Sequence, residues 1–284
     1  MANAASDTTA TTCYRHSDRE TGVSCSSCGR PICPDCMTTT PVGMRCPECA
    51  RQKTKVRTAA TLTKAPELTY ALIAVNVAVF LAMASTGGGI STTSGTLYLK
   101  GVLYAPYVAD GEWYRIITSG FMHAGLWHIA LNMYSLYFLG MLLEPSIGKL
   151  RFGLIYAVSL VGGSLGALLL SPNSGTLGAS GAIFGLLGAT ILAMRARGID
   201  PMRSGLGVVL LLNLAITFLP GINISIGGHL GGLIAGGLLG YLMFEVAERR
   251  RVPGNVIYAV SGAMFVVLAV VAVVIAQAAP PPNF

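Results

Sequence analysis

Charge is what this chain lacks. Asp, Glu, Lys and Arg make up only 11 % of its 284 residues, against about a quarter in a soluble domain, while 53 % are hydrophobic. Not one of these four residue types occurs from Phe152 to Met194, or from Ser204 to Phe244. That excludes an ordinary soluble fold. No apolar run precedes Leu68, so no cleavable leader is expected. There is no His-Glu-x-x-His, which a helical zinc-protease site would need, and no Lys in the last apolar run, which a retinal-type seven-helix protein would need. Cysteine is absent after Cys49.

What is present is a set of long apolar runs. Segments of about 20 apolar residues are long enough to cross the hydrocarbon core as helices. Seven are expected, at about 68–86, 125–143, 152–170, 178–194, 206–220, 224–244 and 255–278. The loops then alternate between two sides. One side holds Lys149, Arg151, Arg195, Arg197, Arg203, Arg249, Arg250 and Arg251, and the other side's loops hold only Lys100 and Arg115. The positive-inside rule places the basic side, and with it the N-terminus, in the cytoplasm, and the C-terminus outside. The net charge of +7 therefore reads as membrane topology, with anionic lipid rather than nucleic acid as its partner.

All seven cysteines fall in the first 50 residues, in the pairs Cys13-x-x-His16, Cys25-x-x-Cys28, Cys33-x-x-Cys36 and Cys46-x-x-Cys49. Eight ligands fill two tetrahedral zinc sites with none left over. A reducing cytosol argues against disulfides, and a His among the ligands argues against an iron–sulfur cluster. Four protein ligands per ion leave no open position, so the metal is structural, and no cofactor for catalysis is expected. So short a module cannot bury an adequate core without it. The ligand order resembles the B-box and RING-like cross-braced modules. That resemblance implies Cys13, His16, Cys33 and Cys36 on one ion and Cys25, Cys28, Cys46 and Cys49 on the other; spacing alone also permits a sequential pairing. Such modules mostly bind proteins, which suggests a cytosolic protein partner. Residues 1–12 read as a disordered tail, 13–50 as the double-zinc module and 51–66 as a basic linker that could lie against lipid headgroups.

Polar side chains inside a span are costly, and a titratable one is a functional candidate by default. His128 and Asn132 share one face of the second span, Ser180 opens the fourth, and His229 lies near the start of the sixth. Under the topology above, these three spans run in the same direction, so His128, Ser180 and His229 all lie within roughly one or two helical turns of the outer boundary. Gly228, Gly232, Gly236 and Gly240 form an i, i+4 ladder on the sixth span, and Gly181 and Gly185 a small pair on the fourth. Such surfaces let backbones approach closely enough for a serine and an imidazole to meet. The alternative is a packing serine bonded one turn back along its own helix. The shared depth favours chemistry: Ser180 as nucleophile and His229 as its general base. The nearest acid on the sixth span, Glu245, is about 24 Å along the helix, so a third member is not expected. The side chains of His128 and Asn132 and the backbone N–H of Ser180 would stabilise the oxyanion. His123 receives no role.

Gly178-Ala-Ser-Gly-Ala-Ile-Phe-Gly185, His128-Ile-Ala-Leu-Asn132 and Gly228-His229-Leu-Gly-Gly232 together resemble the rhomboid intramembrane serine proteases. Glu112-Trp113-Tyr-Arg115 resembles that family's Trp-Arg loop signature, and Glu144-Pro-Ser-Ile-Gly148 its Glu-x-x-x-Gly element. The resemblance implies the same roles for Ser180, His229, His128 and Asn132, and an aromatic at Phe184 stacked on the catalytic His. Gly178, Gly181, Gly185, Gly228, Gly232, Glu112, Trp113, Arg115 and Glu144 would be structural, with Glu112 and Arg115 an exposed ion pair. It further implies an all-α polytopic membrane protein: a six-helix core over 67–245, with a seventh helix and Pro-rich tail over 246–284 as an addition, like the zinc module. Its substrates would be single-span transmembrane proteins cut near the outer boundary. The rivals are a catalytically silent rhomboid-like scaffold or chaperone, against which every catalytic position is occupied by a competent residue, and a transporter. A transporter would carry its polar cluster at the midplane rather than near one boundary.

Overall fold

The computed structural model describes residues 11–41, 43–51, 65–90, 93–217 and 224–280. Most of the expected N-terminal tail, nearly all of the basic linker and the last four residues lie outside these. The chain divides into two compact units, Met1–Thr63 and Lys64–Phe284.

The first unit has little apolar material to fold around. Its buried core is Ile32 with six cysteines: Cys13, Cys25, Cys33, Cys36, Cys46 and Cys49. Regular structure is short: a 3₁₀ turn Pro34–Cys36, a two-stranded antiparallel ribbon of β1 (Thr38–Thr40) and β2 (Gly43–Arg45), and α1 (Pro47–Arg51). A core of one isoleucine and clustered thiols does not stabilise a fold of this size by apolar burial.

The second unit is helical. It comprises α2 (Glu67–Met83), three short helices α3 (Thr96–Gly101), α4 (Ala105–Ala109) and α5 (Arg115–Thr118), then α6 (Leu126–Ile147), α7 (Lys149–Leu170), α8 (Ser180–Ala196), α9 (Leu206–Thr217), α10 (Ile226–Tyr241) and α11 (Gly254–Ala278). Short π-helical stretches extend α2 to Gly88 and α10 to Ala247. Five of these helices are long and apolar enough to cross a membrane: α2, α6, α7, α10 and α11; α8, at 17 residues, is shorter. This is a multi-pass membrane protein. On α11 the valines at 266, 267, 270, 271 and 274 stay exposed, as lipid-facing side chains do.

Glycine decides how the central helices meet. A Cβ at Gly232 on α10 would overlap the Gly181 carbonyl on α8, and one at Gly236 would overlap Gly185 and the Ser159 hydroxyl of α7. The same helix α10 presents a second glycine face to α7. A Cβ at Gly166 would overlap the Gly227 carbonyl, and one at Gly231 the Gly162 carbonyl. The stripe Gly162, Gly163 and Gly166 on the third span was not singled out from the sequence, although its small-xxx-small spacing carries the same signal. In consequence α8 is buried without interruption from Gly181 to Thr190.

Glu144, expected to be structural, is 97 % buried and serves as a remote cap. Its carboxylate accepts from the Leu68 N–H (2.9 Å), the Thr69 N–H (2.8 Å) and the Thr69 hydroxyl (2.6 Å), orphan donors of the first turn of α2. The chain then reverses at Gly148, whose φ of +85° suits glycine.

Candidate active site

The loop after α2 is organised by Arg115, and here one expectation is corrected. The Glu112–Arg115 pair is not an exposed ion pair, because Arg115 is 97 % buried. Its guanidinium donates to Glu112 through Nε (2.8 Å) and a terminal nitrogen (2.5 Å), and to the carbonyls of Leu99 (2.8 Å) and Val102 (2.9 Å). It also lies over the Tyr107 ring, 4.3 Å from its centroid. A buried guanidinium needs this many acceptors. Hydrogen bonds from Tyr114 and then Arg115 hold the Glu112 carboxyl below its usual range. Trp113 and Tyr114 remain exposed.

That loop in turn holds the strand-like approach to α8. Leu103 and Thr176 exchange backbone bonds at 3.0 and 2.9 Å, and the Gly178 N–H reaches the Ser119 carbonyl at 2.9 Å. Ser180 then opens α8, and His229 is the fourth residue of α10, whose N-cap Ser225 accepts from the Gly228 N–H at 3.0 Å. His128 is the third residue of α6. The three side chains thus occupy the first turns of three helices. As the first residue of a helix, Ser180 has a backbone N–H without an intrahelical acceptor, at the positive end of the helix dipole.

The glycine contacts bring two of these helix starts together. The residue after Ser180 and the residue before His229 meet through their backbones, with a Cβ at Gly181 only 3.1 Å from the Gly228 carbonyl. Phe184, one turn into α8, stacks on the His229 ring, centroids 4.1 Å apart and planes inclined by 20°. His229 is itself 92 % buried.

Gly178, with φ of +128°, marks where His128 arrives. A Cβ placed there would lie 2.9 Å from both Nε2 and Cε1 of His128, and 3.7 Å from the Ser180 hydroxyl. One point in space therefore adjoins the imidazole tip and the serine oxygen. The missing side chain at Gly178 makes room for the His128 ring. Asn132 is buried and its amide donates to the His128 carbonyl at 2.8 Å, a bond that uses one of its two amide hydrogens. His123 is fully buried before α6, its ring edge-on to His128 with centroids 5.0 Å apart. Burial pushes the His123 imidazole down to about 3.

In the first unit, ligand-bearing side chains gather in two groups: Cys13, His16, Cys33 and Cys36, and Cys25, Cys28, Cys46 and Cys49. Within each group the donor atoms all lie within 4.8 Å of one another. His16 offers Nδ1, at 3.4 Å from Cys33 Sγ and 3.5 Å from Cys36 Sγ, while Cys28 and Cys46 Sγ are 3.9 Å apart. Tetrahedral zinc with its usual bond lengths gives edges of about 3.5 Å between N and S and about 3.8 Å between two S atoms. The donor sets fit such an ion. Arg30, for which the sequence carried no signal, donates to Cys28 Sγ at 3.2 Å and approaches Cys46 Sγ at 3.6 Å.

Comparison with known proteins places these features. The family model for the Rhomboid domain matches residues 110–246, wholly within the second unit. The chain is 36 % identical over 174 residues to rhomboid protease GluP of Bacillus subtilis, covering 60 % of this chain and 34 % of that one. It is 38 % identical over 146 residues to putative rhomboid protease YdcA of the same organism, covering 50 % of this chain and 73 % of that one. It is also 36 % identical over 159 residues to RHOMBOID-like protein 5 of Arabidopsis thaliana, covering 52 % and 50 %. The chain thus spans about a third of the first of these relatives and half of the last.

Proposed function

The chain belongs to the rhomboid family, and we propose that it is an intramembrane serine endopeptidase working through a Ser180–His229 dyad. Ser180 Oγ attacks the scissile carbonyl while His229 takes its proton. His229 returns that proton to the departing amine, leaving an acyl-enzyme. Water, deprotonated by the same imidazole, then releases the new carboxylate and restores the serine. The negative charge that develops on the carbonyl oxygen meets the Ser180 N–H, the Nε2 side of His128 and the second amide N–H of Asn132.

The observation that carries this reading is the single point beside Gly178 that adjoins both His128 Nε2 and Ser180 Oγ. A carbonyl bonded to Oγ must place its oxygen within reach of donors, and a packing serine has no need of an imidazole there. The decisive experiment is labelling with a fluorophosphonate probe. Labelling of the wild type that vanishes in both Ser180→Ala and His229→Ala is expected. Persistent labelling of Ser180→Ala would sink the reading, and no labelling of the folded wild type would favour a silent scaffold.

The substrates we propose are single-span membrane proteins cut near the outer boundary, because Ser180, His128 and His229 all sit in the first turns of their helices. A substrate helix must unwind there, since an intact helix hides its carbonyls. The basic loops support a cytoplasmic N-terminus and an external C-terminus.

We further propose two structural zinc ions in a B-box-like N-terminal module that binds a cytosolic protein partner. Cys13, His16, Cys33 and Cys36 would hold one ion and Cys25, Cys28, Cys46 and Cys49 the other. The ions would supply the cross-links that the cysteine-lined core cannot. Two zincs per chain by atomic absorption is the expected result; one or none would refute the assignment.

A further inference from the structure

The proton on His128 can be placed. The Ala124 backbone N–H points at Nδ1 of His128, with 3.3 Å between the nitrogens. A backbone N–H can only donate, so the atom it meets must present a lone pair. Turning the ring over would set a C–H against that N–H, so the contact also fixes which face of the ring is which. A neutral imidazole that accepts at Nδ1 carries its proton on Nε2. An imidazolium, with donors at both nitrogens, would oppose donor to donor.

Local backbone makes the Ala124 donor available. Met122 is extended, with φ −96° and ψ 151°, and Gly125 is extended too, with φ 167° and ψ 172°. The helix begins only at Leu126, and its first bond runs from the Ile129 N–H to the Gly125 carbonyl. Ala124 therefore stands just ahead of the helical ladder, and its N–H turns forward onto the side chain four residues on. His123, fully buried and edge-on to His128 at 5.0 Å, closes the space behind the ring.

At the far end of the ring, Nε2 faces the point beside Gly178 that also adjoins the Ser180 hydroxyl. We propose that Ala124 is a positioning residue: its backbone N–H, by engaging Nδ1, holds His128 neutral with the proton on Nε2, aimed at the oxyanion. The inference rests on the reading of His128 as an oxyanion donor. It explains how an imidazole, which can donate or accept at either nitrogen, is committed to donation before substrate arrives. Preorganised donors of this kind are where enzymes gain most of their electrostatic stabilisation.

The test is ¹⁵N NMR of the full chain in nanodiscs with labelled histidine; there are four histidines, assignable by single His→Gln changes. His128 should show an unprotonated, hydrogen-bonded Nδ1 and a protonated Nε2. A proton on Nδ1, or on both nitrogens, would overturn the proposal. In a second variant, alanine 124 is replaced by its hydroxy-acid analogue, so that the N–H becomes an ester oxygen without a change of side chain. The ester should shift the proton towards Nδ1 and lower kcat by about tenfold or more at little change in KM, up to the roughly 10²–10³ that outright loss of an oxyanion donor costs. An ester variant with unaltered tautomer and kcat would overturn it. Fluorophosphonate labelling separates the two layers: an unlabelled wild type with the expected tautomer defeats the enzyme reading, whereas a labelled wild type with the opposite tautomer defeats this one.

Discussion

Phe184 lies flat against His229, ring centroids 4.1 Å apart and planes inclined by only 20°. The stack joins α8 to α10 one turn along from Ser180, and a ring lying flat against Phe184 is opposed in turning out of that plane. Phe184→Ala should therefore slow fluorophosphonate labelling of Ser180 by about tenfold, with Phe184→Tyr close to wild type. The measured quantity is the second-order labelling rate. Equal rates in all three proteins would show that the stack is packing alone; aromatic pairs contribute roughly 0.5–1.5 kcal/mol beyond buried area.

Backbone contact between α8 and α10 predicts a sharp contrast between two glycines of one helix. A Cβ at Gly232 would overlap the Gly181 carbonyl, whereas one at Gly237 meets nothing within 4 Å. Gly232→Ala should lower the thermal midpoint and abolish labelling, since overpacking typically costs about 1–3 kcal/mol. Gly237→Ala should leave the midpoint unchanged or raised. Similar midpoints for the two variants would contradict the packing described.

Glu112 gives a pH-dependent test. Hydrogen bonds from Tyr114 and then Arg115 depress its folded-state pKa, so the carboxylate stabilises the loop above its unfolded value of about 4.3. That contribution is lost as pH falls through the lower, folded value. The difference in thermal midpoint between wild type and Glu112→Gln should be full at neutral pH and shrink as the pH drops below about 4. A difference independent of pH would show that the carboxylate's charge is not involved.

For the N-terminal module, Arg30 is expected to act on only one of the two metal groups. Its guanidinium donates to Cys28 and approaches Cys46, both of the four-thiol set, and neutralises part of the charge that four thiolates would bring. Outer-shell partners commonly change metal affinity by about 10–100-fold. In Arg30→Ala, a colorimetric chelator should remove one equivalent of zinc faster and the other at the wild-type rate. Uniform acceleration of both would point to general unfolding.

The membrane helices and the gathering of the paired Cys and His side chains were the legible part, because both signals are local. A span must be apolar over its own length, and Cys-x-x-Cys acts within one turn. Hence the helix starts at Leu126, Ser180 and Ile226 fall within two residues of the expected ones, and His128, Ser180 and His229 each fall in the first turn of a helix. Arg115 was misjudged for the converse reason. Its i, i+3 spacing from Glu112 describes an exposed pair, and nothing local announces that the carbonyls of Leu99 and Val102 will surround it.

The sequence by itself determined which residues could meet: the depth of each along its helix is set by rise per residue and by the need to keep polar groups near the boundary. Only the tertiary structure decided which of them do. The rotation of α10 that faces Gly232 to Gly181 and Gly231 to Gly162, the seating of Phe184 on His229 and the Ala124 N–H on His128 depend on how helices turn about their axes and how loops close. Those are set by interhelical packing, in which one methyl group decides whether two backbones touch.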